Sequence, residues 1–398
     1  MMKYALALIC TLALLMRKAP PDSPDPEKSL SRPYSDFGFD VLRDLSSGHP
    51  NDNVFISPYS IGVSLAMLSN GANGATRQAI LKTIHAEERS LDSLNADNQD
   101  LIAQINKTTA VQLSAANGLW IARSAELNPK FTHTLQAGYS AEAQNVEFGT
   151  PGATQTINAW VAKHTNNRIP KILDQTDPAT LALLTNAIAF KGKWSLPFEA
   201  SLTKPHDFKT PHSVRKVPMM THTAEYFYAN DDSVESIGLP YADGTFSMYV
   251  VLPHDANALQ SFVQGLTADK FSTQIAQLRR RKGTIDLPHF SLTYETALNA
   301  TLTRLGMGIA FESGADFSGI PQRPAPLRVS EVRHASFLKV DEEGTEAAAA
   351  TMTGVMAAVM RPTIPPFHMV VDHPFFLAIR DERNGQVLFM GVVASPES

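Results

Sequence analysis

The sequence predicts an α+β fold in one uncut domain, and three observations predict it. Helical periodicity dominates the first half of the chain and strand-like patterns the second. No linker interrupts the chain after about residue 30. A hydrophobic fraction of 43% with 18% charged residues supplies a large core and excludes disorder. The length of 398 residues would by itself suggest two or three domains, but no composition break divides it.

The N-terminus stands apart. Lys3 precedes an apolar stretch from Tyr4 to Met16, the length of an export signal and short for a membrane span. It ends irregularly in Arg17-Lys18 and then Ala19-Pro20-Pro21, with no clean small-x-small cleavage site; an uncleaved anchor and a misplaced start are the alternatives. Ile9 before Cys10 does not fit a lipoprotein signal. The prediction is an export signal and flexible lead-in over residues 1–30, a single domain over 31–398, and a secreted, periplasmic or extracellular protein.

Within the domain, Phe37, Val41 and Leu45 share a helical face and predict a helix over Tyr34–Leu45. Ser57 caps a second helix and Pro58 suits its first turn; its body, Ile61–Leu68, is apolar nearly all round, so it lies in the middle of the protein. Gly71 and Gly74 end it. Further helices are predicted over Ser90–Lys107, Pro129–Gly138, Ala153–Asn166 (with Trp160), Ala258–Gln264, Ala268–Leu278 and Tyr294–Leu305, the last ending at Gly306. Strands are predicted over Ala116–Ile121, Thr185–Phe190, Tyr226–Tyr228, Ser236–Leu239, Phe246–Leu252, Thr284–Leu292, Ser336–Val340, His368–Val371, Phe375–Arg380 and Val387–Val392. There is no internal repeat.

Composition narrows the function. Net charge is −5, and the longest basic run, Arg279-Arg280-Arg281-Lys282, reads as a solvated helix end rather than a nucleic-acid patch. The one cysteine, Cys10, lies in the apolar leader, so the domain holds no disulfide and no thiolate metal site. The twelve histidines lack metal-ligand spacing, and His206 and His212 read as loop residues. The chain has no Gly-x-Ser-x-Gly, His-Glu-x-x-His, phosphate loop or Gly-x-Gly-x-x-Gly. Ser201-Leu-Thr-Lys204 has Ser-x-x-Lys spacing without its companion motifs. The reading is therefore not an enzyme, with no cofactor, no metal and no nucleic-acid partner.

One segment carries chemistry of another kind. Residues 345–360 hold neither proline nor a large aromatic, and 347–360 hold no charge. An ordinary surface helix is the simple reading of the four alanines, but no amphipathic face follows and a solvent-facing helix carries charges. As a strand, one alternating set is Thr345, Ala347, Ala349, Thr351, Thr353, Val355 and Ala357, all small or β-branched; Glu346 begins the opposite set. Such a segment can live as an exposed loop and also as a buried central strand, because no inward position carries a charge or proline that would block it.

At this point the chain resembles the serpins. Asp341–Thr351 is similar to their hinge; Phe55-Ile-Ser-Pro-Tyr-Ser-Ile61 to their buried second helix; Thr185–Trp194 to their central strand motif; Leu287-Pro-His-Phe290, Asp372-His-Pro-Phe-Phe376 and Leu388-Phe-Met-Gly391 to later strands. The motifs stand in family order over about residues 34–394. The resemblance implies three β-sheets with eight or nine helices and an exposed reactive-centre loop at about 342–366. It implies a monomer that inhibits serine, and possibly papain-like cysteine, endopeptidases as a suicide substrate: the loop is cut, the protease is trapped as a covalent acyl-enzyme, and the freed loop inserts as a central strand. The hinge would comprise Glu342, Glu343, Gly344, Thr345, Glu346 and Ala347, Ala348, Ala349, Ala350. Ser57, Asn186 and His334 would form a hydrogen-bonded shutter under the sheet. Trp194, His289 and Glu342 would form the breach at its top. The family often has lysine where this chain has His289, so a His289–Glu342 contact that weakens above about pH 7 is expected.

Family spacing from the hinge places the cleaved bond at Ala358–Val359, suiting elastase-like or subtilisin-like proteases whose pockets take small side chains. Met356, Met360 and Arg361 are the alternatives; Pro362 argues against Arg361. The competing function is a non-inhibitory member acting as a binding or chaperone-like protein. Asn106-Lys-Thr and Asn299-Ala-Thr are glycan sequons that matter only in a eukaryotic secretory pathway.

Overall fold

The computed structural model describes residues 29–108, 111–323, 325–344 and 365–397. The export-signal expectation over residues 1–28 lies outside the described residues. In chain order the helices are α1 (Ser31–Gly48), α2 (Pro58–Ser69), α3 (Gly74–Thr83), α4 (Leu91–Asn106), α5 (Pro129–Tyr139), α6 (Pro151–His164), α7 (Leu259–Gly265), α8 (Ala268–Ala276) and α9 (Asn299–Leu302). The strands are β1 (Val54–Ile56), β2 (Val111–Ala122), β3 (Glu142–Val146), β4 (Ala182–Gly192), β5 (Lys204–Lys209), β6 (Val214–Asn230), β7 (Val234–Tyr241), β8 (Phe246–Pro253), β9 (Arg279–Pro288), β10 (Phe290–Ala297), β11 (Glu331–Val340), β12 (Phe367–Val370), β13 (Phe375–Asp381) and β14 (Val387–Val393).

The α+β class holds. Among the described residues the strands form a five-stranded sheet, β10-β11-β4-β2-β3, and a nine-stranded one, β1-β14-β13-β8-β7-β6-β9-β12 with β5 on β6. The larger sheet unites two regions through β6, whose 17 residues pair with β5 at the start, with β9 from Met219 to Tyr228 and with β7 from Phe227 to Asn230.

α2 is buried along its whole length, as its all-round apolar composition requires; Ser57 caps it by accepting the Ser60 N–H. Two of its serines satisfy themselves locally, Ser64 and Ser69 donating to the carbonyls of Ile61 and Ala66. The main core lies between the two sheets and under α1 and α2. A smaller one lies on the other face of the five-stranded sheet, where Ile157 and Val161 of α6, with Ile172 and Leu173 beyond it, cover Trp120, Leu183, Ala187 and Ala335.

Four expectations are corrected. The strand expected over Thr284–Leu292 is two strands in different sheets. Pro288 has no N–H to continue a ladder, the His289 N–H turns to the Pro218 carbonyl at 2.8 Å, and the chain changes sheets there. The helix expected over Tyr294–Leu305 is strand as far as Ala297, because β10 pairs with β11 over eight residues and buries Phe290 and Leu292; helix is confined to α9 and an irregular turn through Gly306. The basic run Arg279–Lys282 opens β9 instead of closing a helix, paired with Tyr228 to Glu225 of β6. His206 likewise sits in β5 rather than a loop, though exposed.

Candidate functional site

The centre of the five-stranded sheet contains an anomaly of direction. β4 and β11 are neighbours and run parallel, in register from Glu331↔Leu183 to Leu338↔Phe190, while each pairs antiparallel with its other neighbour. A strand placed between them and antiparallel to both would turn one parallel pairing into two antiparallel ones, which are slightly more stable per residue. At its top the chain leaves β11, reverses over Asp341–Gly344 and starts back in that antiparallel sense. Gly344 bridges Asp341 on one side and Lys193, just past β4, on the other.

This turn is held tightly. The Trp194 N–H donates to the Glu343 carbonyl at 3.1 Å, the Phe198 N–H to the Glu342 carbonyl at 2.7 Å, and the Trp194 indole N–H to the Asp341 carbonyl at 2.9 Å. The Trp194 ring stacks on Tyr241 at 4.5 Å. Gly344 has φ +131°, and a Cβ there would lie 2.3 Å from the Gly192 carbonyl oxygen, so only glycine fits. The Glu342 carboxylate accepts from the Thr203 hydroxyl at 2.7 Å and contacts His289 Nδ1 at 3.1 Å. The sheet switch at His289 explains that contact, since Phe290 pairs with Val340 and brings His289 beside the hinge. Burial pushes the Glu342 carboxyl up, but the Thr203 hydroxyl, its own backbone N–H and His289 together bring it below the usual carboxylate value.

Farther down the seam, Ser57, Asn186 and His334 meet in one fully buried network. Asn186 and His334 are register partners across the β4–β11 seam. The His334 Nδ1–H donates to Asn186 Oδ1 at 2.6 Å and Nε2 accepts the Ser57 N–H at 3.3 Å. That pattern needs the neutral ring, and burial pushes its pKa down to about 3. Ser57 Oγ donates to the Leu388 carbonyl, which ties the seam to β14. The Asn186 amide donates to Asn117 Oδ1 and to both Ser60 oxygens. Ser336 Oγ donates to the Phe55 carbonyl. Sequence reading missed Ser60, Asn117, Ser336 and Thr203; the available signal was a polar side chain at an inward position of an otherwise apolar strand.

Replacing His334 by alanine leaves the Ser57 N–H and Asn186 Oδ1 unpaired beside a cavity. The expected loss is about 3–5 kcal/mol of unfolding free energy, read by urea titration; a loss under about 1 kcal/mol contradicts this account. The sign with pH follows from the depressed pKa. The unfolded chain takes up the proton first, so the stability from the neutral ring is full above pH 6.5 and is lost as pH falls from there toward about 3.

Of the hinge positions, Glu342, Glu343 and Gly344 are placed as described. Thr345, Glu346, Ala347–Ala350 and every candidate for the cleaved bond, Met356, Ala358, Val359, Met360 and Arg361, lie outside the described residues. Ser201 is exposed and donates to Glu199.

A family model described as serpin (serine protease inhibitor) matches residues 32–396. The leukocyte elastase inhibitor of Bos taurus is 36% identical over 383 residues, covering 93% of this chain and 100% of that protein. Among solved structures, mouse protein-Z dependent protease inhibitor superposes with a TM-score of 0.84 at 27% identity, over 93% of this chain and 98% of the other. Human thyroxine-binding globulin complexed with thyroxine does so with a TM-score of 0.84 at 26% identity, over 94% and 100%.

Proposed function

This chain belongs to the serpin family, a family of protease inhibitors rather than enzymes, and from that premise we propose that it traps serine endopeptidases of elastase or subtilisin type by loop cleavage and strand insertion. The observation that carries the reading is the parallel β4–β11 seam with an antiparallel exit at its top. Continuing the two bridges of Gly344 downward sets Thr345 between Val340 and Gly192, Ala347 between Leu338 and Phe190, Ala349 between Ser336 and Ile188, and Thr351 between His334 and Asn186. Val340, Leu338, Ser336 and His334 are buried residues of β11, so each of these small side chains would enter the core side of the sheet. Thr351 would arrive at the shutter, where its hydroxyl replaces hydrogen bonds broken when His334 and Asn186 separate. Glu346 would face outward between Lys339 and Lys191.

The trap works by competition between two rates. The protease attacks the loop at Ala358–Val359 and becomes acylated. The cut removes the tether that keeps 345–358 out of the sheet, and insertion then outruns hydrolysis of the ester. The apolar leader, read as an export signal, would place this action outside the cytoplasm. The test is incubation of the full chain with a panel of elastase-, subtilisin-, chymotrypsin- and trypsin-type endopeptidases. The expected result is a denaturant-resistant covalent complex with an enzyme of the first two types, and a released C-terminal peptide that begins at Val359 by mass. Cleavage without any complex assigns the chain to the non-inhibitory, ligand-binding branch of the family.

The His289–Glu342 contact sets how easily the hinge opens. Glu342 is depressed, so it stays ionised above about pH 4.5 and loses its share of the contact only below that. His289→Ala removes the imidazole from the Glu342 carboxylate, and the rate of loop insertion, or of heat-induced polymerisation, is expected to exceed that of the wild type at neutral pH. In the wild type the same rate is expected to rise as the pH falls below about 4.5, where Glu342 is protonated. Equal rates for the two proteins at neutral pH defeat the assignment.

A further inference from the structure

A chain of net charge −5 concentrates four cations at the start of β9, and two of them are built into aromatic contacts. Arg280 lies directly opposite Phe227 of β6, its guanidinium 5.4 Å from the ring centre, and Phe227 is 47% exposed although large and apolar. Lys282 lies opposite Glu225, which also stands 4.0 Å from Arg280, all three on the solvent face. Arg279 folds back onto the carbonyls of Ala276 and Leu278. Arg281 turns to the other face, over Tyr228 at 5.5 Å, and donates to the Pro365 carbonyl at 3.1 Å. Farther along the outer face, Asp286 is taken up by His368 and Thr221.

The position of this patch gives it meaning. β12 runs parallel to β9 with Phe367 opposite Gly283, and Pro365 is held by Arg281. The basic run therefore lies beside the point where the chain rejoins the fold after the bait segment. Seven residue steps lead from Ala358 to Pro365, at most about 25 Å of extended chain. A protease that holds Ala358 in its cleft is thereby tethered within reach of β9 and Phe227. Exposed charges contribute little to folding, but they steer encounters, and an arginine-backed aromatic is a favoured interface anchor.

We propose that Phe227, Arg280 and Lys282 form a second contact surface for the captured protease, selecting enzymes whose rim beside the active-site cleft is acidic. This rests on the inhibitory reading above.

The test measures second-order inhibition rate constants for the full chain against a panel of purified endopeptidases that each form the covalent complex and differ in net surface charge. In the wild type the rate is expected to rise with the acidity of the protease. In the double variant Arg280→Glu, Lys282→Glu the rate toward the most acidic enzyme is expected to fall about 10-fold, with the gap closing at high salt, while stoichiometry and unfolding temperature stay unchanged. Phe227→Ala is expected to slow inhibition without changing the salt dependence. Rates unmoved by the charge reversal across the panel overturn the proposal. So does a change in stoichiometry instead of rate, which would place the effect on insertion. So does a result in which only acceleration by added dextran sulfate is lost, which would make the patch a polyanion site. Failure to form a covalent complex with any protease removes the inhibitory reading itself, and this proposal with it; a complex whose rate ignores the reversal removes this proposal alone.

Discussion

Protein nicked at Ala358–Val359 is expected to unfold roughly 10–20 °C above the intact protein, from about a dozen added hydrogen bonds. The estimate starts from the register at the seam. A strand entering between β4 and β11 gains backbone hydrogen bonds on both sides, roughly a dozen at about 1 kcal/mol net each. It also exchanges the parallel pairing of eight residues for two antiparallel ladders. A gain of about 10 kcal/mol exceeds the whole stability of many domains. For a chain of this length, unfolding entropy converts each kcal/mol into about 1–2 °C. Calorimetry of intact and nicked samples at matched pH is the measurement. Equal or lower melting of the nicked form would mean that the segment stays outside the sheet after cleavage, and the inhibitory mechanism would fall with it.

Ala347→Arg is expected to convert the inhibitor into a substrate. In the extended register, position 347 points inward between Leu338 and Phe190, both buried. A guanidinium there, far from any carboxylate, costs several kcal/mol. Insertion would stall at its second inward residue while the acyl-enzyme hydrolyses at its own rate. Each 1.4 kcal/mol on the insertion barrier shifts that partition about tenfold, so more than about 10 equivalents of variant are consumed per protease inactivated. Ala348→Arg points to solvent in the same register and is the control, expected to titrate the protease near one to one. Both variants should be cut at the wild-type rate, since neither adjoins the bond. A covalent complex from Ala347→Arg at wild-type stoichiometry would show that the register is wrong.

Much of this site was legible in the chain because local chemistry and global role coincide there. Ser57-Pro58 before an all-apolar run specifies a capped, central helix whatever surrounds it, and α2 begins at that proline. The uncharged small residues after Gly344 announce a segment with two environments. What the sequence did not show depends on pairing. Nothing local says that β4 and β11 lie side by side in parallel, since they come from distant parts of the chain. Tyr294–Leu305 has helical periodicity, yet its first third is an edge strand because β11 offers a ladder. Arg279–Lys282 follows a helix and looks like its tail, yet the aromatic stretch Tyr226-Phe227-Tyr228 of β6 pairs with it and draws it into a sheet. α3 escaped notice because Asn73 makes no side-chain cap and the helix begins with glycine. Short β1 and β5 have too few residues for alternation to register. The shutter triad was grouped by resemblance, and its hydrogen bonds became readable only when the strands were in place.

The helix laid across the outer face of the five-stranded sheet has a consequence for timing. Ala187 and Ala335, the register pair next to Asn186–His334 on the side toward Gly344, lie under α6 with Trp120 and Trp160. On the mechanism proposed above, an incoming segment would pass this cover one step before it reached His334 and Asn186, and further insertion would wait for the cover to lift. That pause would act as a clock, set by how firmly two tryptophans and their aliphatic neighbours grip the sheet, and it would run against the lifetime of the ester on a captured enzyme.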